Sequence, residues 1–441
     1  MALAHDPRRN LDLDTALAEA ERRYLEANPQ SVARHEAAKA SLPGGNTRSI
    51  LHYAPCPLTV TRGAGCRIWS LDGDEYIDFL GEYSAGLYGH SNPAIVTAMK
   101  AALEAGVVFG APNLHEARFA AELCARFPSL DRVRFCNSGS EADLMALSLA
   151  RAVTKRDKVL AFEGAYHGGF LIFGHGGSPL NVPFPMVMGR YNDIAATRTQ
   201  ITAHGEDLAA VILEPMLGAG GCIPAAPGFL EMLRAETTRH GILLVFDEVI
   251  TSRLSPGGLQ AAFGVVPDLT TLGKYLGGGG SFGAFGGRAD LMDRFDPARP
   301  DCLFHAGTFN NDVLTMAAGH AGLTEVLSPD VLEALNARGE TLRAALEAAF
   351  QAAGLALSAS GLGSILSVHF RPGPILRPED LEGEDPRLKQ LFHLAMLARG
   401  IYLSPRGMMA LSLPMGDGET DALLDAVAGF IDDYRPLLPR A

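Results

Sequence analysis

Residues 242–249 read ILLVFDEV, and residues 269–274 read LTTLGK. Each is a short run with the length of a buried strand, and each stops at a group able to carry charge. The first ends in Asp247 and Glu248, the second in Lys274. A carboxylate directly after five apolar residues, Ile242 to Phe246, is poorly hydrated and needs a cationic partner. A lysine at a buried strand end differs from a solvated surface lysine. Partial burial lowers its pKa and frees the amine to attack a carbonyl carbon. Taken singly, the aspartate reads more simply as a cap and the lysine as a structural charge. Their shared context points to chemistry.

Working outward, Val133–Cys136, Lys158–Phe162 and Ala209–Leu213 have the same strand-like character. They alternate with helical stretches such as Ser140–Arg151 and Phe229–His240. That alternation predicts a mainly parallel sheet with helices on both faces over residues 84–326, with ligands bound beyond the carboxyl ends of the strands. Before it, residues 1–83 carry a helix over Asp14–Asn28, a loop over Leu42–Arg48, and short strands at Leu58–Thr61 and Arg67–Ser70. After it, residues 327–441 carry a helix over Val331–Ala353, a strand over Ile365–Phe370 and a final helix over Asp421–Tyr434. The expectation is an α/β protein with one large domain and a small α+β domain drawn from both termini.

A third segment joins the first two. Strand Val133–Cys136 runs into Asn137-Ser138-Gly139-Ser140-Glu141-Ala142, which opens a helix. The first turn of a helix offers free N–H groups and a partial positive charge. Gly139 lets a phosphate approach the backbone, and the Ser138 and Ser140 hydroxyls are able to donate to it. An ordinary helix cap on Ser138 or Ser140 accounts for the same residues. An anion cradle, an aspartate for a ring nitrogen and a lysine for an aldehyde, in that order along the chain, suit pyridoxal phosphate.

Two competing motifs fail. A P-loop around Gly273-Lys274 needs Gly at 268 and Ser or Thr at 275, where the chain has Asp268 and Tyr275. Gly278 to Gly283 satisfies the glycine spacing of a dinucleotide site, but it follows the lysine loop rather than a strand and leads into a strand-like Ala284-Phe285-Gly286.

Bulk properties exclude other classes. The 441-residue chain is 47% hydrophobic and 20% charged, ordinary for a folded enzyme of more than one domain. Its formal charge of −13 argues against a nucleic-acid partner. The six cysteines are scattered without a CxxC pair, which predicts reduced thiols, no zinc site and a cytoplasmic protein. Met1 to Asn10 lacks the apolar core of a signal peptide, and no apolar run reaches the ~20 residues needed to cross a bilayer.

The combined residues resemble class III aminotransferases, of the fold type I pyridoxal phosphate enzymes. The resembling segments are Asn137–Ala142, Tyr166-His167-Gly168, Glu214-Pro215, Phe246–Val249, Leu269–Phe285 and Gly307-Thr308-Phe309. The resemblance implies roles by position. Ser138, Gly139 and Ser140 would cradle the phosphate. Tyr166 would stack on the pyridine ring, with Val249 on its other face. Asp247 would pair with the ring nitrogen, Glu214 would lie near the cofactor hydroxyl network, and Lys274 would be the Schiff-base lysine. Thr308 would reach the phosphate across a dimer interface, so the resemblance also implies a homodimer with shared sites.

Within the class, the chain is similar to the β-amino acid aminotransferases of the β-phenylalanine type, with glutamate-1-semialdehyde aminomutase as a near relative. The stretches carrying the first likeness are residues 46–57, 82–90, 251–254, 308–316 and 402–407. The resemblance implies that Arg48 binds the carboxylate of a β-amino donor. It implies that Arg406 engages a dicarboxylate acceptor and moves aside for an apolar side chain. A guanidinium fork suits either task. Tyr83, Ser84 and Ala85 are expected to line the pocket near Arg48. Leu217 stands where the β-phenylalanine type has a polar amide, and Asp143 where it has an asparagine; Leu217 is expected to reshape the pocket. The reading is a transaminase passing an amino group from a β-amino acid to 2-oxoglutarate or pyruvate. An aminomutase and a non-catalytic protein of the same fold are the alternatives.

Overall fold

A computed structural model describes residues 12–174 and 176–441; the Met1–Asn10 segment lies outside them. Sixteen strands are present among the described residues. They are β1 Val60–Ala64, β2 Arg67–Ser70, β3 Glu75–Asp78, β4 Arg132–Cys136, β5 Lys158–Phe162, β6 Met186–Gly189, β7 Leu208–Leu213 and β8 Met216–Leu217. They continue with β9 Ile223–Pro224, β10 Leu243–Asp247, β11 Leu269–Gly273, β12 Gly283–Gly287, β13 Ser358–Leu362, β14 Ile365–His369, β15 Ile401–Tyr402 and β16 Met408–Ala410.

Seven of them form the central sheet in the order β4-β12-β11-β10-β7-β5-β6. Strand β12 runs antiparallel to both neighbours, and the other pairs flanking β10, β7 and β5 are parallel. The interior strands β7, β10, β11 and β12 are buried along their whole length. This is why they read as unbroken apolar or small-residue runs rather than alternating ones. The edge strand β6 is only partly buried and lacks that signature.

Strand β12 is glycine-rich for a steric reason. A Cβ on Gly283 would lie 2.0 Å from the Ser138 carbonyl oxygen, and one on Gly287 would lie 2.1 Å from the Asp268 carbonyl oxygen. The first contact pins the end of β12 against the loop that follows β4.

The N-terminal strands form a second sheet, β1-β2-β3-β15, in which the C-terminal β15 pairs parallel to β3. Strands β13, β14 and β16 form a third. The helix Leu13–Ala27 packs on the helix Pro386–Leu397. One hydrophobic cluster runs from Ala16 and Phe79 through Phe119, Phe135 and Leu276 to Leu335, Phe392 and Phe430, so it crosses residues 84 and 326. A second cluster, including Leu147, Phe162, Leu213, Phe246 and Phe285, fills the space around the central sheet. Among the described residues no helix is long and apolar enough to cross a membrane.

Leu244 on β10 is fully buried. Replacing Leu244 with Ala is expected to destabilise the protein by about 2–5 kcal/mol. Differential scanning fluorimetry would register this as a drop of several degrees in the unfolding midpoint. An unchanged midpoint would contradict its place at the centre of the sheet.

Candidate active site

The parallel register of β10 and β11 sets the site. Asp247 aligns with Thr271, and Lys274 follows at the end of β11. Both charged groups therefore emerge at the same carboxyl edge, where a cavity of about 730 Å³ opens. Its lining includes Ser138, Gly139, Ser140, Tyr166, Glu214, Asp247, Val249 and Lys274. Residues far apart in sequence are brought together because each follows the carboxyl end of a sheet strand.

Ser138 is the N-cap of the helix Gly139–Thr154, and its Oγ accepts from the Glu141 N–H at 3.2 Å. Ser140 Oγ accepts from the Gly169 N–H at 3.1 Å. The capping explanation and the cradle are thus compatible, since each hydroxyl keeps its own proton for a further acceptor. Close packing shapes this end of the cavity. Gly168 has a φ of 96°, and a Cβ there would lie 2.1 Å from Ser140 Oγ. A Cβ on Gly139 would meet Val249 at 2.8 Å. Val249 lies against the glycines of both the cradle and the lysine strand, a Cβ on Gly273 meeting it at 3.1 Å.

At the opposite side, Asp247 is buried and well supplied with donors. Its Oδ1 accepts from the Val249 N–H at 3.0 Å, and its Oδ2 lies 2.8 Å from His167 Nδ1. Asp143, buried on the helix Gly139–Thr154, accepts from Thr271 Oγ1 at 2.6 Å. Burial, then the neighbouring Asp247, push the Asp143 carboxyl well above the usual range. Glu214 Oε1 accepts from the Tyr166 N–H at 3.1 Å, and Oε2 from the Gly218 N–H at 2.9 Å. Burial, then Asp247, raise its pKa to about 7.

Lys274 has a φ of 55°, in the left-handed region that non-glycine residues rarely occupy. Such strain is kept where surrounding structure enforces it, often at functional sites. Desolvation pulls its ammonium down to about 8, against the opposing pull of Glu82 and Asp247. The neutral, nucleophilic amine is therefore far more populated near neutral pH than in an ordinary lysine.

The remaining predicted residues are spread more widely. Ala85 lines the cavity, whereas Tyr83 and Ser84 do not. The backbone passes through three consecutive left-handed residues, Glu82, Tyr83 and Ser84. This turn presents Glu82 and Ala85 to the cavity; Tyr83 Oη donates to the Ile50 carbonyl, and Ser84 is buried beside Arg253. Arg48 forms an ion pair with Glu82. Arg406 stands over the Tyr83 ring, 5.7 Å from its centroid, and has no ion-pair partner among the described residues. Thr308 is exposed and does not line the cavity of its own chain. Leu217 corrects an expectation: it is fully buried in β8, paired with Ile223, and is not in the cavity lining.

Sequence reasoning missed two groups. His167 was visible only as the middle of Tyr166-His167-Gly168, and a lone histidine after an aromatic is as readily core. Asp143 stood out only as a departure from asparagine. Asp143, His167 and Asp247 place ligand-type atoms within 4.8 Å of one another. Within that cluster His167 Nδ1 and Asp247 Oδ2 are 2.8 Å apart, a hydrogen-bond contact.

These observations fit pyridoxal phosphate. A glycine-bounded helix N-terminus is suited to a phosphate, a buried carboxylate to a ring nitrogen, and a desolvated lysine to an aldehyde. The aminotransferase class III family model matches residues 51–173 and 180–426, and the chain belongs to that family. A beta-phenylalanine transaminase of Variovorax paradoxus is 51% identical over 97% of this chain and 99% of its own length. A crystal structure of a beta-phenylalanine aminotransferase from Variovorax paradoxus superposes with a TM-score of 0.96 at 50% identity, covering 98% of this chain and all of that one. A glutamate-1-semialdehyde 2,1-aminomutase of Sorangium cellulosum is 39% identical over 89% of this chain and 93% of its own length. The fold is that of the fold type I enzymes, and the cofactor of this class of enzyme is pyridoxal phosphate.

Two outcomes are expected. In cofactor-free protein, the rate at which an amine-selective acylating reagent labels Lys274 should rise with pH and level off above about 8. Peptide mass spectrometry reads this, and a rise continuing to the range of an ordinary lysine would contradict the desolvated setting. Gly168→Ala should weaken cofactor binding at least about tenfold, because its methyl group must displace Ser140. Titration followed by cofactor absorbance checks this, and wild-type affinity would contradict it.

Proposed function

We propose that this aminotransferase moves the amino group of a β-amino acid, aromatic ones included, to 2-oxoglutarate or pyruvate. The observation carrying the proposal is that Lys274 and Asp247 share one cavity, that Arg48 pairs with its lining residue Glu82, and that Arg406 lies over the adjacent Tyr83, although neither arginine lines the cavity itself. The relative's β-phenylalanine activity supports the same choice of donor.

Ser138, Gly139 and Ser140 would hold the phosphate, Asp247 the ring nitrogen and Lys274 the aldehyde carbon. Tyr166 and Val249 would flank the ring, and Glu214 would lie at its hydroxyl side. Bound there, pyridoxal phosphate supplies an electron sink for the pair left when a substrate C–H bond breaks. Asp247 holds a negative charge where the ring nitrogen needs its proton. Lys274 Nζ would act as the base that takes the proton from the substrate carbon and holds it for return within the same site.

Each half-reaction admits a carboxylate, and the two guanidinium groups divide that task. Arg48 binds the donor carboxylate, for which Glu82 stands in until substrate displaces it. Arg406 binds the second carboxylate of the acceptor. Resting on a ring rather than on a carboxylate, it is free to withdraw for an apolar donor side chain.

The protein acts as a homodimer. Thr308 reaches the partner's phosphate site, and Phe304 and Phe309, 90% and 60% exposed, are covered by the second copy. A cytoplasmic location accords with the absence of a membrane-spanning helix among the described residues and with the unpaired cysteines.

The test is a panel of single amines mixed with cofactor-loaded enzyme, followed by absorbance and by acceptor-dependent turnover. 3-Amino-3-phenylpropanoate should convert the bound cofactor, and turnover should require a keto acid. Arg48→Ala should raise the KM for the donor at least about tenfold, the loss expected for a charged hydrogen-bonded pair. Inactivity of every 3-amino acid, or turnover of a semialdehyde without an acceptor, would overturn the assignment.

A further inference from the structure

The cavity holds one more carboxyl group than its chemistry needs. Asp247 suffices to face a ring nitrogen, yet Asp143 lines the same cavity and is buried beside it. We propose that Asp143 is a neutral carboxylic acid that donates its proton toward Asp247, so that the pair carries a single negative charge at the cofactor ring. Asp143 is then a positioning residue, acting through Asp247. The consequence for the cofactor rests on the function proposed above; the location of the proton does not.

Three geometric facts lead there. First, the two carboxyl groups and the His167 ring present atoms within 4.8 Å of one another in a buried site. Two carboxylates sharing such a site do not both ionise, and one is strongly favoured to keep its proton. Second, the donors are unevenly divided. Asp247 accepts from the Val249 N–H and lies 2.8 Å from His167 Nδ1, whereas Asp143 accepts only from Thr271 Oγ1 among the described residues. Hydrogen bonds to the charged form favour it, so the charge settles on Asp247 and the proton on Asp143. Third, Asp143 has no lysine or arginine ion-pair partner among the described residues. Glu214, at the end of β7, is another carboxyl. His167 is engaged with Asp247, and Thr271 on β11 is uncharged. The direction of the Asp143 shift, upward through burial and Asp247, agrees.

This assigns a purpose to the aspartate where the β-phenylalanine type carries asparagine. A protonated carboxyl and an amide have nearly the same shape, and each offers one donor to Asp247. Proton sharing also helps to fix Asp247 in one rotamer, whose oxygens keep lone-pair capacity beyond the Val249 N–H and His167. Above the pH at which Asp143 ionises, a second charge enters the site.

Infrared difference spectroscopy on the purified enzyme, with and without cofactor, locates the proton. A carbonyl stretch of a buried carboxylic acid should be present near neutral pH and should disappear in Asp143→Asn. Glu214, with a pKa raised to about 7, contributes its own band; that band should vanish in Glu214→Gln and persist in Asp143→Asn. Cofactor titration gives a second readout. Asp143→Asn should bind within about threefold of wild type, and Asp143→Ala at least about tenfold more weakly, as for loss of a hydrogen bond to a charged group. Absence of any carboxylic-acid band in the wild type, or its retention unchanged in Asp143→Asn, would overturn the proposal. So would equal loss of cofactor affinity in the Asn and Ala variants. Failure of the β-amino acid assignment would appear in the amine panel and leave these spectra untouched.

Discussion

The structure depends on one constraint: Asp247 and Lys274 must leave the sheet at the same edge, on neighbouring strands. Parallel pairing of β10 with β11 meets it. Every residue of these strands is buried, so they are stable only between covering layers, and their first charged residues, Asp247 and Lys274, come where the strands end. At that boundary a carboxylate and an amine lose water without losing access to a ligand. Burial that would be costly for an ordinary surface pair becomes the means of setting their reactivity. Lys274 loses its proton more readily than a solvated lysine, and Asp247 is held in place by the Val249 N–H and by His167 Nδ1.

The rest of the molecule supports that edge. Strand β12 brings glycines against the cradle, where no side chain fits between Gly283 and Ser138. Val249 wedges between Gly139 and Gly273, coupling the phosphate end of the cavity to the lysine strand. The N-terminal turn at Glu82–Ser84 contributes Glu82 and Ala85 to the rim, and the segment around Arg406 approaches it through Tyr83. Buried carboxyl groups in excess are managed by sharing protons and by backbone donors rather than by lysine or arginine partners. A permanent cation beside Asp247 would compete for the charge that the ring nitrogen requires.

Much of this was legible in the sequence, and for physical reasons. Buried parallel strands are uncharged along nearly their whole length, so β7, β10 and β11 announce themselves, and the helix Phe229–His240 was anticipated to the residue. The edge strand β6 has no such pattern, because only one of its sides is covered. The cavity residues that end strands were readable as a set, since a charge following an apolar run is unusual. His167 and Asp143 were not, because their role comes from contacts across the fold: His167 with Asp247, and Asp143 with Thr271. Leu217 shows the converse, since a difference in sequence three residues after Glu214 lies in the core and not in the pocket lining. The direction in which Tyr83 and Ser84 face was equally hidden, being set by three left-handed backbone conformations that no side-chain pattern encodes.

The central claim is that the amine at position 274 holds the cofactor. Borohydride reduction of the cofactor-loaded protein, followed by proteolysis and peptide mass mapping, tests it most directly. The account predicts one modified peptide, spanning Lys274 and carrying the reduced pyridoxyl group. Modification at a different lysine, or none in protein that has bound the cofactor, would contradict it.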